Sequence, residues 1–259
     1  MTTSRFSLRS AVAYAGQALV QHTVPLLVLA VVMIILRLLW YGLDELVLGK
    51  PLIEAGTQIS DALAQLMSRR QMTPEIQFLR NLIKEHIGVI LIYAFIVWIA
   101  WSFFFAGFTR YLLDLYDTGT ARIAMLFTQW KAGLRILVVI PFIFATLTGL
   151  LVLPFYLGTT GARLIGMLLS YGVMLYLYAR VILIDFCIVD KNLGPWAAFV
   201  ESWRLTHGAV FKIAILWGIL RSIEVLLQLL FLGFVASIIQ TIFFLLCFTY
   251  VYRTLLKTA

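Results

Sequence analysis

Between Arg163 and Asp185 the chain reads LIGMLLSYGVMLYLYARVILI (residues 164–184), a run in which Arg180 is the single charged residue. A helix of about 20 apolar residues crosses about 30 Å of hydrocarbon, so this run predicts a membrane span. Five more follow outward from it: Val24–Leu43, Ile87–Phe108, Leu137–Leu157, Val210–Leu230 and Phe234–Tyr252. The separators Gly158-Thr159-Thr160-Gly161 and Gly233 are so short that the runs they join must pack as antiparallel hairpins. The expected fold class is all-α, a polytopic membrane bundle of six transmembrane helices forming a single integral membrane domain over residues 1–259.

Composition agrees. Hydrophobic residues make up 63% of the 259 and charged residues 12%, whereas globular domains run about 45–50% apolar and about 25% charged. A soluble protein of this size cannot hide that much apolar surface. The net charge of +8 is read as topology anchors and lipid-headgroup contacts rather than nucleic-acid binding, because no basic stripe is interleaved with exposed aromatics. Cys187 and Cys247 sit in apolar runs without CxxC spacing, so packing is their expected role. The first twenty residues lack a signal-peptide core and cleavage site, which leaves membrane targeting to the first span.

Lysine and arginine placement orients the bundle. With both termini cytoplasmic, Arg5, Arg9, Arg110, Arg122, Lys131, Arg135, Arg180, Lys191, Arg204, Lys212, Arg253 and Lys257 all fall inside. The outer side then holds Arg163 and a long insertion of about residues 44–86, whose basic residues are offset by acidic ones. Pro51 starts an amphipathic helix there, with Ile59, Ala62, Leu63, Leu66 and Met67 on one face, and Thr73-Pro74 starts a second that leads into the next span. The expected location is a bacterial inner membrane.

Three amphipathic stretches, each preceding a hydrophobic hairpin, suggest an internal repeat. They are Ser7–His22 (Leu8, Ala11, Val12, Ala15, Leu19), Thr120–Lys131 (Ile123, Leu126, Phe127, Trp130) and Pro195–His207 (Trp196, Phe199, Val200, Trp203). Short helices of this kind lie in the membrane interface, here on the cytoplasmic side. Trp130, Trp196 and Trp203 are their expected aromatic-belt anchors. The second, fourth and sixth spans end alike, on Arg110, Arg180 and Arg253 beside an aromatic residue. The units would run over about residues 6–110, 119–180 and 194–253, a threefold parallel repeat about the membrane normal.

From Arg180 to Leu216 the sequence holds Asp185, Val189-Asp190, Gly194-Pro195, Ser202-Trp203-Arg204-Leu205-Thr206-His207-Gly208 and Phe211-Lys212. This stretch resembles bacterial six-span integral membrane proteins, largely of unknown function, related to the membrane domain of glycerophosphoryl diester phosphodiesterases. The resemblance implies a six-span fold. It does not imply the phosphodiesterase activity, which belongs to a soluble barrel following the membrane part in those enzymes.

Ionisable residues at membrane depth are the candidate functional groups. Arg37 in the first span and Arg221 with Glu224 in the fifth form a candidate intramembrane polar cluster, read either as a structural ion pair or as transport chemistry. Arg110, Asp114, Arg180, Asp185, Asp190 and Arg253 are candidate headgroup contacts at the inner boundary, or simply anchors and caps. Gly166 and Gly172 are read as sites of close helix approach. His22, His86 and His207 have no metal-ligand spacing, and no nucleophile elbow, P-loop or dinucleotide fingerprint occurs, so catalytic, cofactor and metal residues are not expected. The leading expectation is a non-enzymatic protein that handles lipid or another hydrophobic molecule, or that scaffolds a membrane complex. Its partners are membrane lipids, with other membrane proteins or a homo-oligomer left open and no nucleic acid. The alternative is a transporter or channel with a cavity between the repeats, and a lipid-modifying enzyme is the lesser one. A solvent-accessible midplane cavity containing Glu224 would favour transport, and a tightly packed apolar centre with lipid-sized grooves at the cytoplasmic leaflet would favour lipid handling or scaffolding.

Overall fold

A computed structural model of the chain describes residues 6–47, 74–152, 160–229 and 233–258, in which every regular element is an α-helix. These are α1 (Leu8–Gln21), α2 (Thr23–Val47), α3 (Pro74–Thr118), α4 (Met125–Thr128) and α5 (Trp130–Val152). They continue as α6 (Thr160–Val181), α7 (Ile184–Lys191), α8 (Pro195–Leu205), α9 (Val210–Leu229) and α10 (Gly233–Thr258). The chain divides into two compact units, residues 1–30 with 101–259, and residues 31–100. The second unit takes in the C-terminal part of α2 and the N-terminal part of α3. The helix expected from Pro51 to Met67 lies outside the described residues, as do Gly158 and Thr159 of the expected turn. The start expected at Thr73-Pro74 is the first residue of α3, which runs unbroken to Thr118.

Among the described residues three helical stretches are long and apolar enough to cross a membrane: Phe95–Thr118, Ile165–Lys191 and Ser237–Thr258. A fourth is added if α1 and the first part of α2, bent by 92° at His22, count as one broken span. The expected fifth span is helical as α9, but Lys212, Arg221 and Glu224 break its apolar character. The bend at His22 has a local cause. His22 leaves helical geometry at φ −114°, ψ 37°, and the Thr23 hydroxyl turns back to donate to the carbonyls of Leu19 and Val20 at 2.9 Å. Pro25 is tolerated because it stands in the first turn of α2, where its missing N–H would have had no helical partner.

In the first unit α1 lies against α10, and α6 against both α5 and α9. The interior centres on the second half of α10, where Leu246, Cys247, Phe248, Val251, Tyr252 and Leu255 are fully enclosed. Cys187 is also enclosed, and both thiols are free. The faces of the short helices differ from the apolar stripes in the sequence. In α1 the small residues Ala11, Ala15 and Ala18 pack inward while Val12 and Val20 are exposed. In α8, Ala198, Ser202 and Leu205 pack inward and Trp196 is 75% exposed. Small residues permit close helix approach, and in lipid a bulky apolar side chain loses little by facing outward. The middle stretch forms one short helix, Met125–Thr128, and its last two residues, Trp130 and Lys131, already belong to α5. The turn before it is held by tight bonds from the amides of Met125, Leu126 and Phe127 to the carbonyls three residues earlier.

Two glycines set the spacing around this short element. A Cβ at Gly107 of α3 would stand 2.1 Å from the carbonyl oxygen of Leu126, and one at Gly133 of α5 would stand 2.6 Å from the Phe103 ring. Gly172 faces open space, so the close approach expected there is made at Gly107 and Gly133 instead. Replacing Gly107 by Ala should cost about 1–3 kcal/mol because a backbone atom must yield. Gly172→Ala should be neutral or slightly stabilising, since alanine is the better helix former. Thermal unfolding of the two variants in detergent separates these outcomes.

Lys191 at the end of α7 donates to Glu201 of α8 at 2.6 Å, and Arg204 donates to the same carboxylate at 2.8 Å. The hydrogen bonds from Arg204, then Lys191, hold the Glu201 carboxyl below the usual carboxylate range, against a smaller opposing effect of burial. A carboxyl depressed on folding contributes stability above its unfolded pKa of about 4.3 and loses it as pH falls through the folded value. Wild-type melting temperature should therefore drop more steeply below about pH 4.5 than that of Glu201→Gln, measured as melting temperature against pH.

Candidate functional site

The end of α6 is tied to α8 by a reciprocal pair of bonds. The buried Ser202 hydroxyl donates to the Arg180 carbonyl at 2.6 Å, and the Arg180 guanidinium donates to the Trp203 carbonyl at 3.0 Å. The guanidinium also lies over the rings of Trp203 and Tyr176 and donates to the Tyr176 hydroxyl. Thr206, fully buried, donates back to the Ser202 carbonyl at 2.9 Å. Gly208 turns the chain at φ +81° into α9, a conformation in which a side chain is strained. Ser202, Trp203, Thr206 and Gly208 therefore have structural work, and Trp203 is engaged with Arg180 rather than free. Trp130 and Trp196 are exposed, 55% and 75%.

Arg253 of α10 has a different set of partners. It donates to both oxygens of Asp190, at 2.6 and 3.0 Å, and to Asp117 near the end of α3. The Tyr252 hydroxyl donates to Asp190 as well, at 2.8 Å. One guanidinium thus joins α3, α7 and α10 with its charge matched twice. Arg110 pairs only with Asp114, 3.0 Å away on the same helix face. These residues form two separate clusters and a local pair. Asp117 and Tyr252 were missed in the sequence because their pairing with residues about 60 to 140 positions away depends on tertiary folding.

Arg221 and Glu224 meet on α9 as the spacing of three predicts, in a direct ion pair. Arg37 is exposed and belongs to the other unit. The pair lines a partly open cavity of about 440 Å³ within the first unit, bordered by α3, α5, α6, α7, α9 and α10. Its aromatic walls are Trp101 and Phe105 from α3, Tyr178 from α6, Phe186 from α7, and Phe244 and Phe248 from α10. Gln240 and Thr241 add polar groups from α10. The Arg221 guanidinium stacks near Trp217 and Phe244, 5.8 and 5.6 Å from their ring centres. Gln240 is buried and spends its amide on the Leu220 carbonyl at 2.7 Å, which pins α10 to α9 beside the ion pair.

Asp185, expected at the inner boundary, lines this cavity instead. The cause is the break between α6 and α7. Leu183 departs from helical geometry at φ −95°, ψ 3°, and Asp185 falls in the first turn after it. Its side chain is half-buried on the cavity wall. Among the described residues it makes no hydrogen bond or ion pair. Tyr178 and Cys187 lie within its electrostatic reach. No group of three or more His, Cys, Asp or Glu residues placed to hold a metal occurs among the described residues.

The two Arg253 bridges should differ in weight. Asp190 is 15% exposed and Asp117 40%. Asp190→Asn, which leaves a nearly buried guanidinium short of its better partner, should cost about 3 kcal/mol. Asp117→Asn should cost at most about 1 kcal/mol. Thermal melts of both variants in detergent measure the difference.

Comparison of the chain with protein-family models, with curated proteins and with solved structures finds no match.

Proposed function

We propose that the chain is an integral protein of a bacterial inner membrane that binds and handles a hydrophobic small molecule or lipid without catalysing a reaction on it. The cavity of the first unit is its binding site. The observation that carries this reading is the cavity itself. At about 440 Å³ it falls in the range of about 300–1,000 Å³ used for small ligands. It is walled mainly by aromatic and aliphatic side chains, with a few polar groups converging on it. A bundle built only as a scaffold has no need to keep such space open, because unfilled volume costs packing contacts.

The six-span arrangement, cytoplasmic termini and threefold parallel repeat belong to the same proposal. Three short helices preceding long ones, α1 before α2, α4 before α5 and α8 before α9, support it. So does the outward exposure of Val20, Phe127, Trp130 and Trp196, which suits interfacial lipid contact. The resemblance to the membrane domain of glycerophosphoryl diester phosphodiesterases is likewise proposed, for the fold alone. Transport is the second reading, and a cavity with Glu224 on its wall is the feature expected of it. The cavity supports ligand binding under either reading, and the apolar character of most of its lining is what places handling of a hydrophobic molecule first.

The experiment is saturable binding of N-phenyl-1-naphthylamine, a neutral environment-sensitive fluorophore, to the protein in lipid nanodiscs with empty nanodiscs as reference. Wild type and Trp196→Ala should bind alike. Thr241→Trp, which fills the cavity, should lose most of the saturable signal while melting like wild type. Unchanged binding by a stable Thr241→Trp, or no saturable binding by wild type, would refute the cavity as the site.

A further inference from the structure

We infer, resting on that reading, that the cavity selects organic monocations: molecules with an apolar body and one ammonium- or phosphonium-like centre, whose charge is matched by Asp185.

Three ionisable side chains line the space: Arg221, Glu224 and Asp185. Glu224 is already committed to Arg221, which leaves Asp185 as the carboxyl without a counterpart among the described residues. In a largely apolar wall such a carboxyl ionises only when a compensating charge stands beside it, since isolated buried charge is costly and the group otherwise stays protonated. Elsewhere in the same unit the chain provides that compensation in full, as with Asp190, which receives bonds from both Tyr252 and Arg253. At Asp185 the space where a partner would stand is the cavity. The remaining wall suits the same ligand. Trp101, Phe105, Phe244 and Phe248 line the cavity, and aromatic rings attract cations most strongly where water is excluded. Arg221 is the one cation on the wall and already lies over Phe244. An anionic ligand would have to meet that guanidinium after displacing Glu224 and would still face Asp185.

The test is displacement of N-phenyl-1-naphthylamine from the protein in nanodiscs by three probes of one shape: tetraphenylphosphonium, tetraphenylmethane and tetraphenylborate. Each is corrected for its partition into empty nanodiscs. Tetraphenylphosphonium should displace at concentrations about tenfold or more below the neutral and anionic probes. Asp185→Asn should erase that preference while still binding the fluorophore. Arg221→Gln frees Glu224 and should widen the preference, and Glu224→Gln leaves Arg221 unpaired and should narrow it. These two variants keep the inference open to refutation even where Asp185→Asn fails to fold. Equal displacement by all three probes overturns the inference and leaves the cavity reading standing. So does a cation preference that a folded Asp185→Asn retains, or one that neither of the other two variants shifts. Failure of the fluorophore to bind wild type overturns both.

Discussion

An α-helical chain in hydrocarbon has no water to complete its polar groups, so each one must find a protein partner or a place at the edge. That constraint explains where the first unit puts its charges. Arg253 is 12% exposed and is matched by two carboxylates from two other helices. Arg180 is 7% exposed and is matched by carbonyl, hydroxyl and two aromatic faces instead of an acid. Ser202 and Gln240, both buried, turn their donors onto backbone carbonyls of neighbouring helices. The helices are joined by polar contacts at chosen points, and small residues such as Ala11, Ala15, Ala198 and Gly107 let them come near enough for those contacts to close. In lipid, where apolar burial distinguishes poorly between neighbours, such contacts decide which helix lies against which.

The same constraint bears on what could be read from the sequence. Runs such as residues 164–184 announce helices of membrane character, because apolar length is a property of the run itself. The extents of α1 and α8 were legible for a similar reason. Ser7 caps the first, bonding the amide of Ser10 at 3.0 Å, and Pro195 opens the second at its first turn. Their orientation was not legible. The apolar stripe of an amphipathic helix normally points to the core, but here the outside is itself apolar. Trp196 and Val200 can therefore face outward and leave the inward face to Ala198 and Ser202. Thr120–Lys131 yielded a single turn of helix where a longer one was expected. The backbone of that turn packs closely on α3, where Gly107 stands against Leu126.

The candidate site was half legible. Arg221 and Glu224 declare themselves as charges three apart inside an apolar run, and they do pair. Asp185 was placed at the boundary because it follows a complete span and precedes Asp190 and Lys191. Nothing in local spacing signals that the helix breaks at Leu183 and carries the next turn beneath α9 and α10. Gln240 carried a signal that went unused: an amide inside the apolar run of the last helix has to bond something, and it bonds the backbone of the helix that bears the ion pair.

Taken together, these placements separate two kinds of enclosed charge. Arg253, Asp190, Arg180 and Glu201 sit in closed sets, where each group's partner is another residue of the chain. Removing a member of such a set harms the fold, and the set offers little to a ligand. Asp185 is of the other kind, because its enclosure is a property of the walls and its open side is a cavity. Leaving its carboxyl facing space without a partner favours the protonated form, and a complementary charge entering the space favours the carboxylate. The cavity's polar groups therefore form a gradient, from Gln240 and Glu224, already committed, to Asp185, still available. That gradient is what distinguishes a binding site from an imperfection of packing.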